Sequence, residues 1–247
     1  MDDRPSQYWL SYGGGVNSTA LAVLLVQGKL PKYEPWRIVF ADTKTEKDQT
    51  YAYIRDHFAP WLERHGKRLE VVYPQEGVLE RWERLKVTGS RILRTCTDQA
   101  KVKPITAYIA ANGGGEQLIG IDASEAHRMA DKSGKHRPLV DLDIDREECE
   151  RIIAAAGLPS PGKSGCWCCP FARVGEVIEL IKTSPCKAAR IESLEWAATD
   201  AHGESPGLGQ RCQFREHPIA WWRERAKQGD LFIPDADPAH PCECYDG

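Results

Sequence analysis

The 247 residues can bury one large core or two small ones. A hydrophobic fraction of 41%, a charged fraction of 28% and a net charge of −3 exclude a membrane-spanning protein and a surface that coats nucleic acid over its whole extent. The opening Met1-Asp2-Asp3-Arg4-Pro5 lacks signal-peptide character, so a cytoplasmic chain without membrane contact is expected.

The first elements are the most informative. Tyr8-Trp9-Leu10 reads as a strand, Ser11 to Gly15 as a glycine turn, and the apolar run Ala20 to Val26 as a helix opened by Asn17, Ser18 and Thr19. Three glycines let backbone approach a ligand, and free N–H groups at a helix N-terminus attract anions. Phosphate binding is one reading; a plain capped turn is the other. The segment is not a Walker A loop, because no Gly-Lys-Ser/Thr follows it.

Trp36 to Ala41 reads as a buried strand ending at Asp42-Thr43. Thr50 to His65 carries helical spacing, and Arg68 to Tyr73 is a third strand stopped by Pro74. From Arg81 to Lys103 seven basic residues face only Glu83 and Asp98, an excess that suits a polyanion or a solvated face. Lys103 to Ala111 reads as a helix with Pro104 in its first turn, and Gln117 to Ile121 as a fourth strand. Alternating strands and helices imply a parallel sheet, whose ligands sit at the carboxyl ends of strands. Ser11 to Ser18, Asp42-Thr43 and Gly120 to Asp122 all fall at such ends.

From about Asp145 the texture changes. Helices are expected over Arg146–Ala156, Glu176–Lys182, Ala188–Ala198 and Pro218–Gln228. Two regions follow, 1–145 for nucleotide binding and 146–247 helical and cysteine-bearing. Seven of nine cysteines lie from position 166 onward, which points to metal or redox chemistry in a reducing compartment. Cys166-x-x-Cys169 has metal-ligand spacing on a Gly/Pro-rich loop. Cys212, Cys242 and Cys244 are the first candidates to complete it, then Cys168 and Cys186, with His202, His217 and His240 as substitutes. A structural zinc and an iron–sulfur cluster both fit. Cys96 stands among basic residues that favour a thiolate, as in a sulfur relay; a buried small hydrophobe is the other reading. Cys149 reads as core.

Several of these segments resemble a known family. Gly13-Gly14-Gly15-Val16-Asn17-Ser18 resembles the SGGxDS loop of PP-loop ATP pyrophosphatases, with Gly13 in place of Ser and Asn17 in place of Asp. Phe40-Ala41-Asp42-Thr43 with Glu46 and Thr50, Arg94-Thr95-Cys96-Thr97 with Lys101 and Pro104, and Gly120-Ile121-Asp122 with Glu125 and Arg128 resemble, in order, three elements of the phosphoadenosine phosphosulfate (PAPS) reductase branch. Pro138-Leu139 and the block Ser164 to Phe171 are similar to reductase-like proteins of phages and mobile elements.

The resemblance implies an α/β fold, a parallel twisted sheet with flanking helices of the adenine nucleotide alpha hydrolase type, followed by a mostly helical C-terminal region. It implies binding of ATP or a related adenine nucleotide with magnesium, through Ser11, Gly13, Gly14, Gly15, Asn17, Ser18, Asp42, Thr43 and Gly120. Arg94, Cys96, Lys101, Arg128 and Cys244 become the candidate catalytic residues, with Lys103 a further candidate cation for the α-phosphate. Cys166, Cys169, Cys212, Cys242 and Cys244 remain the candidate metal ligands. The activity implied is ATP-dependent adenylylation or sulfur transfer to an unidentified acceptor. A PAPS or adenylylsulfate reductase, with Glu243-Cys244 supplying the catalytic thiol, and an inactive nucleotide-binding or nucleic-acid-associated module are the alternatives. Asn17 favours the last, since an amide cannot act as a carboxylate near magnesium. Nucleic acid and a second copy of the chain, as a homodimer, are the candidate partners.

Overall fold

The computed structural model describes residues 7–89, 95–128, 134–202 and 217–228. Five parallel strands, β1 (Tyr8–Tyr12), β2 (Trp36–Ala41), β3 (Leu69–Val72), β4 (Glu116–Ile119) and β5 (Lys135–His136), lie in the order β3-β2-β1-β4-β5. Their side chains alternate between two cores. Tyr8, Leu10 and Tyr12 of β1 and Trp36, Ile38 and Phe40 of β2 enter the first. Trp9, Val39 and Ala41 enter the second, on the opposite face. Strands apolar on both faces belong in a sheet covered by helices on both sides.

Helix α1 (Val16–Val26) covers the first face and is buried almost all round, as its nearly uniform apolar sequence requires. Pro60 and Pro104 fall inside longer helical runs. In the first, α2 (Asp48–Tyr53) passes through a π turn, Ile54–Phe58, into α3 (Ala59–Arg64). After α4 (Val78–Leu85), α5 (Thr95–Thr97) passes through a second π turn, Asp98–Val102, into α6 (Lys103–Ala111). Proline has no N–H to donate and crowds the carbonyl four residues back, and the wider π turn just before it accommodates both. Pro104 stands in the first turn of α6, as expected, and the π turn carries the helical run back before it. Ile105 and Ile109 of α6 cover the second face of the sheet.

The short α7 (Pro138–Asp141) puts Leu139 into the first core. Cys149, Ile152 and Ile153 of α8 (Arg146–Ala155) join it there, against α1. A third core is helical. In it Val78, Leu79 and Trp82 of α4 meet α9 (Val174–Thr183), α10 (Pro185–His202) and α11 (Ile219–Gln228), with Cys168 among them. The buried carboxylate of Glu195 caps α11 by accepting from the Ile219 N–H at 2.8 Å. No helix among the described residues is long and apolar enough to cross a membrane.

Candidate functional site

The strand order reverses between β1 and β4: from β1 the chain builds outward to β2 and β3, then returns to add β4 and β5 on the other side. Crevices at such a reversal, outside the carboxyl ends of the strands, are where open parallel sheets bind ligands. Tyr12 pairs with Phe40, and Ser11 with Ile119, so the ends of β1, β2 and β4 share one rim. The glycine loop, Asp42-Thr43 and Gly120 to Asp122 all leave from it.

Gly15 is the N-cap of α1, with no side-chain cap bond and no acidic residue in the first turn. The first N–H groups have no helical acceptor, and the positive end of the dipole lies at the loop. Gly14 has φ +72°, and a Cβ there would lie 2.7 Å from Thr50 Cγ2. Ser18 closes the loop from within: its hydroxyl accepts from the Gly13 N–H at 3.2 Å and donates to the Gly15 carbonyl at 3.1 Å. Gly120 has a packing reason to be glycine, because a Cβ would lie 2.6 Å from Ser18 Cα. The hydroxyl of Ser11, in β1, donates to Gln117 Oε1 at 3.3 Å and ties β1 to β4.

Asn17 carries the least expected contacts. Its Nδ2 donates to Asp122 Oδ2 at 2.9 Å and to Glu125 Oε2 at 3.2 Å, and its Oδ1 is buried without a hydrogen-bond partner among the described residues. Asp122 also accepts from Ser124 Oγ and the Glu125 N–H. At the end of β2, Asp42 Oδ1 accepts from Tyr51 OH at 2.5 Å and the Lys44 N–H at 2.8 Å. Burial first, then this hydrogen bond to a carboxylate, hold the Tyr51 phenol protonated, with its pKa well above the ordinary value. Thr43 donates to Glu46 Oε1 at 3.0 Å. The same oxygen lies 3.1 Å from Lys101 Nζ, while Glu46 Oε2 is buried without a partner among the described residues. Lys101 thus already faces a buried carboxylate.

The cysteine loop is stitched to this strand end. Lys47 N–H donates to the Gly165 carbonyl and Trp167 N–H to the Thr45 carbonyl, each at 2.9 Å, and Glu46 pairs with Cys166 in an antiparallel bridge. Thr43 Oγ1 and Cys166 Sγ are 3.5 Å apart. Ser164 lies against Gly14 and Gly15. The anion cradle and the thiol loop therefore occupy one rim. Cys168 is fully buried in the helical core, and Cys186 is exposed. Cys96 acts electrostatically on Cys169, which acts on Cys166, and Lys101 on all three. Burial raises every one of these thiols, to about 12 for Cys166 and about 11 for Cys169. The expectation that basic neighbours make Cys96 a thiolate is corrected: its pKa is raised, because desolvation outweighs Lys101. Cys149 is core, as its helical position suggested.

Residues 7–144 match the phosphoadenosine phosphosulfate reductase domain, more than half of the chain. The chain belongs to that family. Two solved structures resemble it in fold. Phosphoadenylyl-sulfate (PAPS) reductase from Candida auris, in a phosphate complex, is 17% identical over 65% of this chain and 81% of its own, with a TM-score of 0.45. The U34-tRNA thiolase NcsA from Methanococcus maripaludis, with its [4Fe-4S] cluster, is 12% identical over 90% of this chain and 82% of its own, with a TM-score of 0.48. No match is found among curated proteins.

The matched family domain ends before the cysteine loop, which the C-terminal part adds to its rim. Arg94, Cys212, Cys242 and Cys244 lie outside the described residues, and Arg128 closes the short 3-10 helix Ala123–Arg128. The basic run is less exposed as charge than its sequence implied. Arg81 and Arg84 pair with Glu76, Lys101 with Glu46, and Lys103 with Asp98. The sequence reading did not place Glu46, Asp122, Glu125 or Ser164 in the site. Glu46, Asp122 and Glu125 stand in segments it had singled out, whereas no local signal connects Ser164 to the glycine loop.

Proposed function

We propose that this family member binds an adenine nucleotide with magnesium on the glycine loop and uses it for sulfur chemistry at the thiol loop beside it. The observation that carries the reading is the stitching of the loop bearing Cys166 and Cys169 onto the strand end that flanks the cradle. In the activation reaction an acceptor oxygen attacks the α-phosphorus and pyrophosphate leaves. A sulfur nucleophile then displaces AMP. The first-turn N–H groups of α1 suit the departing pyrophosphate, because they are oriented before the charge develops. Lys101 and Arg128 stand on motifs beside the cradle.

The donor set bears on the metal. Among the described residues no three His, Cys, Asp or Glu side chains converge on a single ion. A mononuclear zinc would need Cys212, Cys242 or Cys244. Cys166 and Cys169, soft ligands in C-x-x-C spacing, would suit two positions of an iron–sulfur cluster, which when bound would supply redox-active iron. Their thiols are protonated in the metal-free chain, so loading releases protons.

Labelled ATP incubated with a sulfide source and candidate acceptors is expected to yield AMP and pyrophosphate. Absence of ATP binding at millimolar concentrations would refute the reading. The family match favours a second one, reduction of a sulfonucleotide with a thiol as reductant. It predicts sulfite release from PAPS or adenylylsulfate and its loss in Cys244→Ser. Tight ATP binding without either turnover would identify a binding module.

A further inference from the structure

Ser164 meets the glycine loop from outside the matched family domain. A Cβ on Gly15 would lie 2.8 Å from its Oγ, and one on Gly14 would lie 3.9 Å from its Cβ. Thr50 and Ile54 flank the same glycine. The Ser164 hydroxyl makes no hydrogen bond to the described residues, although it can both donate and accept. Its neighbours are held on both sides. The Lys163 carbonyl accepts from Gln49 Nε2 at 3.1 Å, and Lys163 Nζ is 2.9 Å from Glu176 Oε2. Gly165 and Trp167 are hydrogen-bonded to Lys47 and Thr45. Ser164 is thus suspended between anchored residues, with its hydroxyl at the cradle and Cys166 two residues away.

We infer that Ser164 completes the cradle for the nucleotide's pyrophosphate group and couples occupation of the cradle to the conformation of the thiol loop. The inference rests on the nucleotide reading above. The other donors of the cradle are backbone N–H groups fixed by α1. Ser164 adds a hydroxyl from a separate segment, so its hydrogen bond to a phosphate oxygen forms only when the ligand is present. With both flanks tied down, fixing Ser164 restricts Gly165 and Cys166 as well. The ligand class is a di- or triphosphate, recognised through its charged oxygens rather than through adenine.

The test uses the full chain as purified. Calorimetric titrations with ATP, pyrophosphate and adenosine are paired with hydrogen-exchange mass spectrometry of segment 163–169. Wild-type protein is expected to bind ATP and pyrophosphate and to gain exchange protection in that segment. Ser164→Ala is expected to bind both ligands roughly ten- to 150-fold more weakly, the range of one hydrogen bond to a charged group. It should bind adenosine as wild type does and lose the ligand-induced protection. A general structural defect would weaken adenosine as well, and that result would overturn the inference. Wild-type pyrophosphate affinity with protection retained in Ser164→Ala would also overturn it, while leaving the nucleotide reading standing. A wild-type chain that binds neither ATP nor pyrophosphate would overturn both.

Discussion

Asn17 and Asp122 join the two loops that flank the switch between β1 and β4: the Asn17 side-chain amide donates to the Asp122 carboxylate at 2.9 Å. The same nitrogen reaches Glu125 at 3.2 Å, so one neutral donor separates two buried carboxylates. An amide at this position, rather than the Asp of the SGGxDS loop it resembles, leaves the site with one carboxylate fewer and gives both neighbours a donor.

Asn17→Asp puts a third carboxylate where the donor was. Like charges in a buried site repel, and Asp122 and Glu125 lose a partner. The expected cost without divalent cations is about 3 kcal/mol, a fall in Tm of roughly 6–12 °C for a chain of this size. Magnesium, a ligand for clustered carboxylates, should recover part of it. Asn17→Ala should lose less and respond little to magnesium. Thermal melts with magnesium and with chelator decide the matter. An Asn17→Asp protein that melts with wild type in chelator would show that the two carboxylates do not depend on the amide.

Lys101 and Glu46 form the corresponding pair at the end of β2, where Glu46 is 1% exposed. Removing one partner leaves a charge buried alone, at about 3–5 kcal/mol. Lys101→Met should therefore destabilise strongly, and Lys101→Met combined with Glu46→Gln less than Lys101→Met alone. Denaturant unfolding of the two single variants and the double variant forms a cycle. Additive losses would mean that the ion pair is not coupled.

Much of this rim is legible in the sequence because the signals are local. The apolar alternation of β1 and β2, the glycine triplet before an apolar helix and the motif at Gly120 each occupy a few adjacent residues. Their convergence follows from the rule for parallel sheets. What escapes is set by contacts distant in sequence. Gly120 reads as a ligand contact, yet its lack of a Cβ is demanded by Ser18, more than 100 residues earlier. The excess charge of Arg81 and Arg84 is met by Glu76, outside the window in which the excess was counted. Cys96 has basic neighbours in sequence, but burial decides its protonation. Segment 146–155 follows the change of texture, yet its apolar stripe completes the first core.

Glu176 gives the thiol-loop anchor a pH signature. Its burial favours the neutral acid, but hydrogen bonds from Lys47, the Arg173 N–H and Lys163 outweigh this and hold the carboxylate down at about 2, against an ordinary 4.5. A pKa depressed on folding contributes stability above 4.5 that is lost as pH falls from there toward 2. The side chain is 21% exposed, and the contribution at neutral pH is about 2–3 kcal/mol. Glu176→Gln should be less stable at pH 7 and flatter between pH 4.5 and 2. Asp56, Glu76 and Glu83, whose pKa values are also lowered by arginine, titrate in both proteins, so the difference between the two curves isolates Glu176. Parallel curves would show that the lysines do not hold this carboxylate.

The cysteines divide by surroundings, and the division predicts metal content. Cys96, Cys166 and Cys169 share the field of Lys101, and Cys168, buried against the helical core, acts electrostatically with all three, whereas Cys186 is exposed. Anaerobically purified protein should contain iron and acid-labile sulfide and show visible absorption. Each of Cys96→Ser, Cys166→Ser and Cys169→Ser should lose the iron. Cys186→Ser should keep iron and stability. Cys168→Ser puts a hydroxyl into the helical core that Cys168 helps to fill, so it should lower the melting temperature. Colourless protein with one zinc per chain, retained in Cys96→Ser and lost on substituting Cys212, Cys242 or Cys244, would move the metal to the C-terminal cysteines and leave Cys96 without a ligand role.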